Sequence, residues 1–213
     1  GVKTMCGFTG FSTADTSFDH QSAIKSMADA IAHRGPDSEG LFSDGHVSLG
    51  FRRLSIIDLE NGAQPMYNED NSLVLCFNGE IYNHNELREE LRAAGHTFRN
   101  RADSEVLLHG YEEWGPALLD RLRGMFAFVI YDRNSGRLFA ARDIFGIKPF
   151  YYYHKNDVLL FGSEIKSFLH HPQFEKTLNE EMLPQYLCFE YIPNDETFFR
   201  DVYKLPAAHY MIW

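Results

Sequence analysis

The sequence predicts an α+β domain of layered helices and sheets, and three observations carry that reading. Helical periodicities occur both early and late in the chain, and a succession of short apolar strands separated by turns fills much of its second half. The 213 residues are 44% hydrophobic and 15% aromatic, ample material for a packed core. No Pro-, Gly- or Ser-rich linker divides the chain, so one domain is expected rather than two.

Residues 6–12 (CGFTGFS) are short, apolar and glycine-spaced, and read as a strand. In 20–33, Ala23, Ile24, Met27, Ala28 and Ile31 recur at helical spacing, and Gly35-Pro36 ends the helix behind a cationic last turn. Asp44-Gly45 marks a two-residue hairpin within 41–51. The apolar run 73–77 (LVLCF) reads as a buried strand leading into Asn78-Gly79, a common turn pair. Residues 85–94 form an amphipathic helix with Leu87 and Leu91 on one face and Gly95 as its stop. A further helix opens near Asp103 and carries Val106, Leu107, Tyr111 and Trp114. From Gly124 the pattern turns to strands over 125–131, 137–141, 150–154 and 158–162, as in an antiparallel sheet of hairpins. Residues 165–171 and 179–190 look helical, and 207–213 looks like a last strand.

Composition excludes several function classes. Lys plus Arg is 20 against 30 Asp plus Glu, a net charge of −10, which argues against a nucleic-acid partner. No apolar run approaches the ~20 residues of a membrane span, so no membrane partner is expected either. Three cysteines are too few and too odd in number for a disulfide scaffold and suggest a reducing, cytoplasmic setting. The ten histidines show no metal-ligand spacing, and no P-loop, G-x-G-x-x-G or G-x-S-x-G motif is present. Cys76 and Cys188 sit among apolar neighbours and read as core residues. Cys6 differs. It follows Met5, and with that methionine removed its own α-amine, of pKa about 7.7–8.0, is placed to take the proton of its thiol.

Five segments occur in order: 6–10 (CGFTG), 33–37 (HRGPD), 53–58 (RLSIID), 78–83 (NGEIYN) and 142–149 (RDIFGIKP). Together they resemble the class II glutamine amidotransferases, which are N-terminal nucleophile hydrolases. Within that family the similarity is greatest to the asparagine synthetase branch, which 163–167 (SEIKS) and 204–206 (KLP) also resemble. The resemblance covers nearly the whole chain from Met5. It implies a four-layer αββα sandwich of two mainly antiparallel sheets, and hydrolysis of the glutamine side-chain amide to glutamate and ammonia.

The same resemblance implies a set of roles. Cys6 is the nucleophile, and the Asn78 side chain with the Gly79 backbone N–H forms the oxyanion hole. Arg53 takes the substrate α-carboxylate and Asp103 its α-ammonium, with Glu80 nearby and backbone groups of Leu54 and Ile56 lining the pocket. Read without the family, Asp103 is a helix N-cap, since it opens the run Asp-Ser-Glu-Val. The segment 33–37 shapes the pocket at one remove, and 142–149 braces the cleft or faces a synthetase domain. No metal or cofactor is expected for the glutaminase step. ATP and Mg would belong to a C-terminal synthetase domain, whose Ser-Gly-Gly-x-Asp-Ser motif this sequence lacks.

The expected partners are L-glutamine, that synthetase domain, and a second copy of the chain, since such proteins are often dimers. Residues 1–5 (GVKTM) read as an expression remnant or a leader, and 6–213 as a glutaminase domain cut before the synthetase portion. While 1–5 remain, the Cys6 nitrogen is a peptide nitrogen with no basic lone pair. Two rival readings keep the fold: an interaction module with Cys6 blocked, and the glutaminase domain of another amidotransferase.

Overall fold

The computed structural model describes residues 6–54 and 63–213. Its elements are β1 (Gly7–Ser12), α1 (His20–Ala30), β2 (Ser38–Ser43), β3 (Val47–Arg53), β4 (Met66–Tyr67), β5 (Leu73–Ile81), α2 (His84–Ala93) and α3 (Glu105–Trp114). There follow β6 (Gly124–Asp132), β7 (Arg137–Arg142), β8 (Tyr151–Lys155), β9 (Val158–Gly162), α4 (Met182–Phe189), β10 (Val202–Lys204) and β11 (Tyr210–Ile212). Two short 3₁₀ helices, Gly115–Asp120 and Ile165–His170, complete the set.

Six strands form one sheet in the order β10-β8-β9-β1-β3-β2, and five form the other in the order β11-β7-β6-β5-β4. Every pairing between these strands is antiparallel. The two-residue alternation of strand side chains divides the core into three slabs. Phe8, Leu49, Phe51 and Phe161 from the first sheet meet Val74, Cys76, Ala127 and Val129 from the second. On the outer face of the second sheet, Leu75, Phe77, Phe128 and Ile130 bury Leu87 and Leu91 of α2 and Val106 and Leu107 of α3. On the outer face of the first, Phe11 and Leu160 bury Ala23, Ile24 and Met27 of α1. The layers therefore run helix, sheet, sheet, helix, as the family resemblance implies.

Local chemistry sets the element ends. The Asp19 carboxylate caps α1 by accepting from the Gln21 N–H at 3.0 Å and from the Ser22 hydroxyl at 2.6 Å. In the β2–β3 hairpin the loop residues are Gly45 and His46, one step beyond the pair expected, and the Asp44 carboxylate accepts from the His46 and Val47 amides at 3.0 Å. Several expectations are corrected. The chain does not turn at Asn78-Gly79, because β5 continues through both and pairs with β6 as far as Ile81. The α1 helix ends at Ala30, so His33 and Arg34 do not neutralise its last turn. The helix expected over 179–190 is only Met182–Phe189, with Met182 its one buried residue. Cys188 is accordingly exposed rather than core, with its neighbours Leu187 and Phe189 also open to solvent. Cys76 is buried as expected, and burial pushes its thiol far above the ordinary range.

Phe161 stacks on Phe150 at 6.3 Å between ring centroids and lies against Gly10, where a Cβ would come within 2.5 Å of its ring. Truncating it opens a cavity where no small residue can compensate. Phe161→Ala is expected to cost about 3–5 kcal/mol, measured as a lowered midpoint of urea unfolding with an unchanged slope.

Candidate active site

Cys6 stands immediately before β1, and the β1–β3 register, Phe8↔Phe51 and Gly7↔Arg52, sets it opposite Arg53. Phe8 and Phe51 face the gap between the sheets, so Cys6 and Arg53, two residues further along each strand, face the same gap. The thiol is half-buried. Its sulfur accepts from the Leu54 N–H at 3.4 Å and lies 3.7 Å from the Leu54 carbonyl. Arg52, next door, faces the other way and serves the scaffold, donating to the Ala28 carbonyl at 3.1 Å and pairing with Asp29 and Glu39.

Behind the thiol lies a charged clamp. Arg34 donates through Nε to the Cys6 carbonyl at 3.1 Å and through Nη1 to Glu164 at 3.0 Å. His33 lies 2.9 Å and Lys166 3.3 Å from the same carboxylate. Gly7 makes room for Arg34, since a Cβ there would meet its Cδ at 2.7 Å. Gly35 lets this loop lie on β3, where a Cβ would meet the Arg52 carbonyl carbon at 2.3 Å. On the other side, the Ser163 hydroxyl receives the Phe8 N–H at 3.1 Å while its own N–H donates to the Phe8 carbonyl at 2.9 Å. Burial alone would push the Glu164 carboxyl up, but the bonds from Arg34 and His33 outweigh it and hold it below its ordinary range.

The second sheet supplies the facing wall. Asn78 shares strand parity with Val74 and Cys76, so it too faces the gap, and Glu80 follows on the same side. Asn78 is 2% exposed, yet its Nδ2 has no hydrogen-bond partner among the described residues. A buried amide left with an unspent donor is costly unless a ligand takes it. Gly79 packs against β6, and a Cβ there would sit 2.2 Å from the Met125 carbonyl oxygen. Asp103 closes the end of β5, its carboxylate accepting from the Ile81 N–H at 2.9 Å. The cap position of α3 is Ser104, not Asp103, so the isolated cap reading fails. Burial pushes the Asp103 carboxyl up, the Ile81 amide partly offsets this, and the Glu80 carboxylate adds to the rise.

Lys148 ties the two walls together. Its side chain is nearly buried and interacts electrostatically with Arg34, Cys6, Asp143 and Glu80. Burial, followed by the neighbouring Arg34, pulls its ammonium below the ordinary range. The loop that carries it is held by Asp143, whose carboxylate accepts from the amides of Phe126, Phe145, Ile147 and Lys148 at 3.0–3.1 Å. Arg142 donates to the carbonyls of Gly146, Lys148 and Leu205 at 2.7–2.8 Å.

Of the residues named from the sequence, Cys6, Arg53, Leu54, Asn78 and Glu80 thus gather at the mouth of the gap between the sheets, with Gly79 in the β5 wall and Asp103 beside Glu80. Ile56 lies outside the described residues. Arg34, Glu164 and Lys148 were not singled out, although each lies inside a motif segment, which was the available signal.

A search of protein families finds the glutamine amidotransferase domain over residues 5–213. This chain belongs to that family. Among curated relatives, asparagine synthetase (glutamine-hydrolyzing) 1 of Bacillus subtilis (strain 168) is 47% identical over 213 residues, which is 98% of this chain and 33% of the relative. Asparagine synthetase (glutamine-hydrolyzing) 2 of the same organism is 41% identical over 97% of this chain and 28% of its own length. The chain therefore spans about a third of the length of these relatives. Among solved structures, glutamine phosphoribosylpyrophosphate amidotransferase from B. subtilis superposes with a TM-score of 0.65 at 21% identity, over 76% of this chain and 43% of that one. That likeness shows the shared fold of this amidotransferase domain.

Glu164→Gln removes the counter-charge of a half-buried guanidinium and is expected to cost about 1–3 kcal/mol at neutral pH. The folded-state carboxyl titrates below its unfolded value, so its contribution is present above about pH 4 and is lost as the pH falls through the folded pKa. Urea unfolding of the two proteins should therefore differ most near pH 7 and converge in acid.

Proposed function

We propose that this chain hydrolyses the side-chain amide of L-glutamine to glutamate and ammonia, with Cys6 as nucleophile. The observation that carries the reading is the facing of the Cys6 wall and the Asn78 wall across one gap, with a buried Asn78 amide donor that has no hydrogen-bond partner among the described residues. Family membership and glutamine-hydrolyzing relatives support it. Once residues 1–5 are removed, the α-amine of Cys6 takes the thiol proton, and sulfur attacks the amide carbon. The negative charge then grows on the carbonyl oxygen, where the Asn78 Nδ2 and the Gly79 N–H donate to it. Collapse expels ammonia, the leaving nitrogen taking the proton held on the amine. Water next attacks the γ-glutamyl thioester, releasing glutamate and restoring the thiol.

Arg53 suits the substrate α-carboxylate, for which a planar guanidinium offers two parallel donors. Asp103 and Glu80 suit the α-ammonium, and backbone groups of Leu54 and Ile56 complete the lining. Lys148 adds positive charge beside the reacting sulfur. Cysteine, its amine, glutamine and water supply every atom that moves, so the proposed steps call on no metal or organic cofactor. In the longer proteins of this kind, the ammonia would pass to a C-terminal synthetase domain that uses ATP and Mg to make asparagine. A homodimer and a cytoplasmic setting belong to the same reading. No helix among the described residues is long and apolar enough to cross a membrane.

Glutamate release from glutamine tests the assignment directly. A chain beginning at Cys6 should be active, the chain carrying 1–5 far less so, and Cys6→Ala inactive while still folded. Full activity in Cys6→Ala would end the proposal. Asn78→Ala should lower kcat about 10²–10³-fold, a loss carried by kcat rather than KM.

Asp103→Asn separates binding from folding. Because the Asp103 carboxyl is pushed up in the folded protein, its ionised form is held at a cost to stability at neutral pH. The asparagine oxygen can still accept from Ile81, so the melting temperature should hold or rise while KM for glutamine rises on the order of 10–100-fold. In the wild type, affinity should begin to fall in acid at a higher pH than an ordinary carboxylate near 3.9 would give. In the variant that acid limb should be absent from the KM profile.

A further inference from the structure

We propose that the helix layer over the second sheet carries a divalent transition-metal site of the zinc class, formed by His96, His109 and Glu112. One donor atom from each of the three lies within 4.8 Å of those of the other two. The Glu112 Oε2 is 2.9 Å from the His109 Nδ1 and 3.6 Å from the His96 Nδ1. Ligands of a tetrahedral zinc at 2.0–2.1 Å stand roughly 3.3 Å apart, so these two separations bracket the coordinated spacing. Two neutral imidazoles and one carboxylate form a donor set that such a cation favours. Burial lowers the His109 pKa, but the carboxylates of Glu105 and Glu112 raise it to about 9, so a bound cation displaces that proton.

Polar groups surround those donors, with His109 itself buried. The outer nitrogen of His96 is 3.1 Å from the Glu113 carboxylate. The outer nitrogen of His109 faces Glu69 at 3.7 Å and Glu105 at 3.9 Å. The other oxygen of Glu112 accepts from the Asn68 amide at 2.7 Å, and buried Asn68 is itself fixed by the Leu73 N–H at 2.9 Å. His96 and Glu112 thus each have a hydrogen-bonded partner on the far side, the arrangement that fixes ring tautomer and carboxylate orientation at metal centres. The far side of His109 faces two carboxylates beyond hydrogen-bond distance. Three separate pieces of chain meet here: the turn after α2, the middle of α3 and the β4–β5 connection. A bound cation would pin α2 and α3 to each other, on the same helix layer whose α3 follows Asp103. The site uses none of the residues assigned to glutamine.

The test uses the chain with Cys6 and the exposed Cys188 both changed to serine, so that neither accessible thiol contributes. After stripping with a chelator, equilibrium dialysis against zinc should load one equivalent, and the melting temperature should rise with zinc concentration. Cobalt(II) should give tetrahedral d–d absorption without sulfur charge-transfer bands. His96→Gln and Glu112→Gln should each weaken zinc binding more than tenfold, and Glu113→Gln about 10–100-fold. Circular dichroism confirms that each variant is folded. Failure of the unsubstituted site to load zinc above a buffer control, absence of the cobalt spectrum, or equal zinc binding in folded His96→Gln and Glu112→Gln would overturn the proposal. In that event the cluster is an ion-pair network holding the helices.

Discussion

The antiparallel pairing of β1 with β3 is the constraint on which the candidate site depends. Pairing Phe8 with Phe51 puts both rings into the gap between the sheets, and the period of two carries that orientation on to Cys6 and Arg53. A slip of one residue in β1 would turn the thiol toward α1 and away from Arg53, and a slip in β3 would instead bring Arg52 into the gap in place of Arg53. The burial of Phe8, Leu49, Phe51 and Phe161 between the sheets resists that slip, since it would move a whole apolar set out of the core. Core packing and the aim of the nucleophile are therefore one and the same choice of register.

Around that register the buried charges are arranged to hold backbone rather than to attract one another across solvent. Arg34 grips the Cys6 carbonyl, Arg142 gathers three carbonyls, and Asp143 gathers four amides. Each replaces the hydrogen bonds that irregular chain would otherwise lose on burial. The connections around the mouth of the gap are thereby made stiff, which is what a nucleophile and an oxyanion donor on different sheets require. Asn78 stands apart on the facing wall, where its buried side-chain Nδ2 has no hydrogen-bond partner among the described residues.

Much of this was legible in the residues. The apolar runs 73–77 and 125–131 announce strands, and the spacing of Ala23, Ile24, Met27 and Ile31 announces α1. Five ordered motifs contain Cys6, Arg53 and Asn78, with Asp103 implied by the family resemblance they carry. The misreadings share a cause. Asn78-Gly79 has the composition of a turn, yet the β6 partner strand outweighs that local preference. Asp103 resembles a cap, yet its carboxylate serves the end of a strand 22 residues away in sequence. Cys188 has apolar neighbours, yet Met182 is the one buried residue of α4. His96 and His109 are separated by a helix boundary and carry no recognisable spacing.

By itself the sequence determined the layer types, the strand and helix periods, and which residue types are gathered for amide hydrolysis, because those follow from alternation and from short motifs. Tertiary structure decided which of two adjacent arginines faces the gap, which cysteine is exposed, and which charge stands behind the nucleophile. It also decided that Lys148, 142 residues from Cys6 along the chain, interacts electrostatically with it. These are properties of register and of contacts between distant segments. They depend on which face of a strand meets which neighbour, and no local run of residues carries that information.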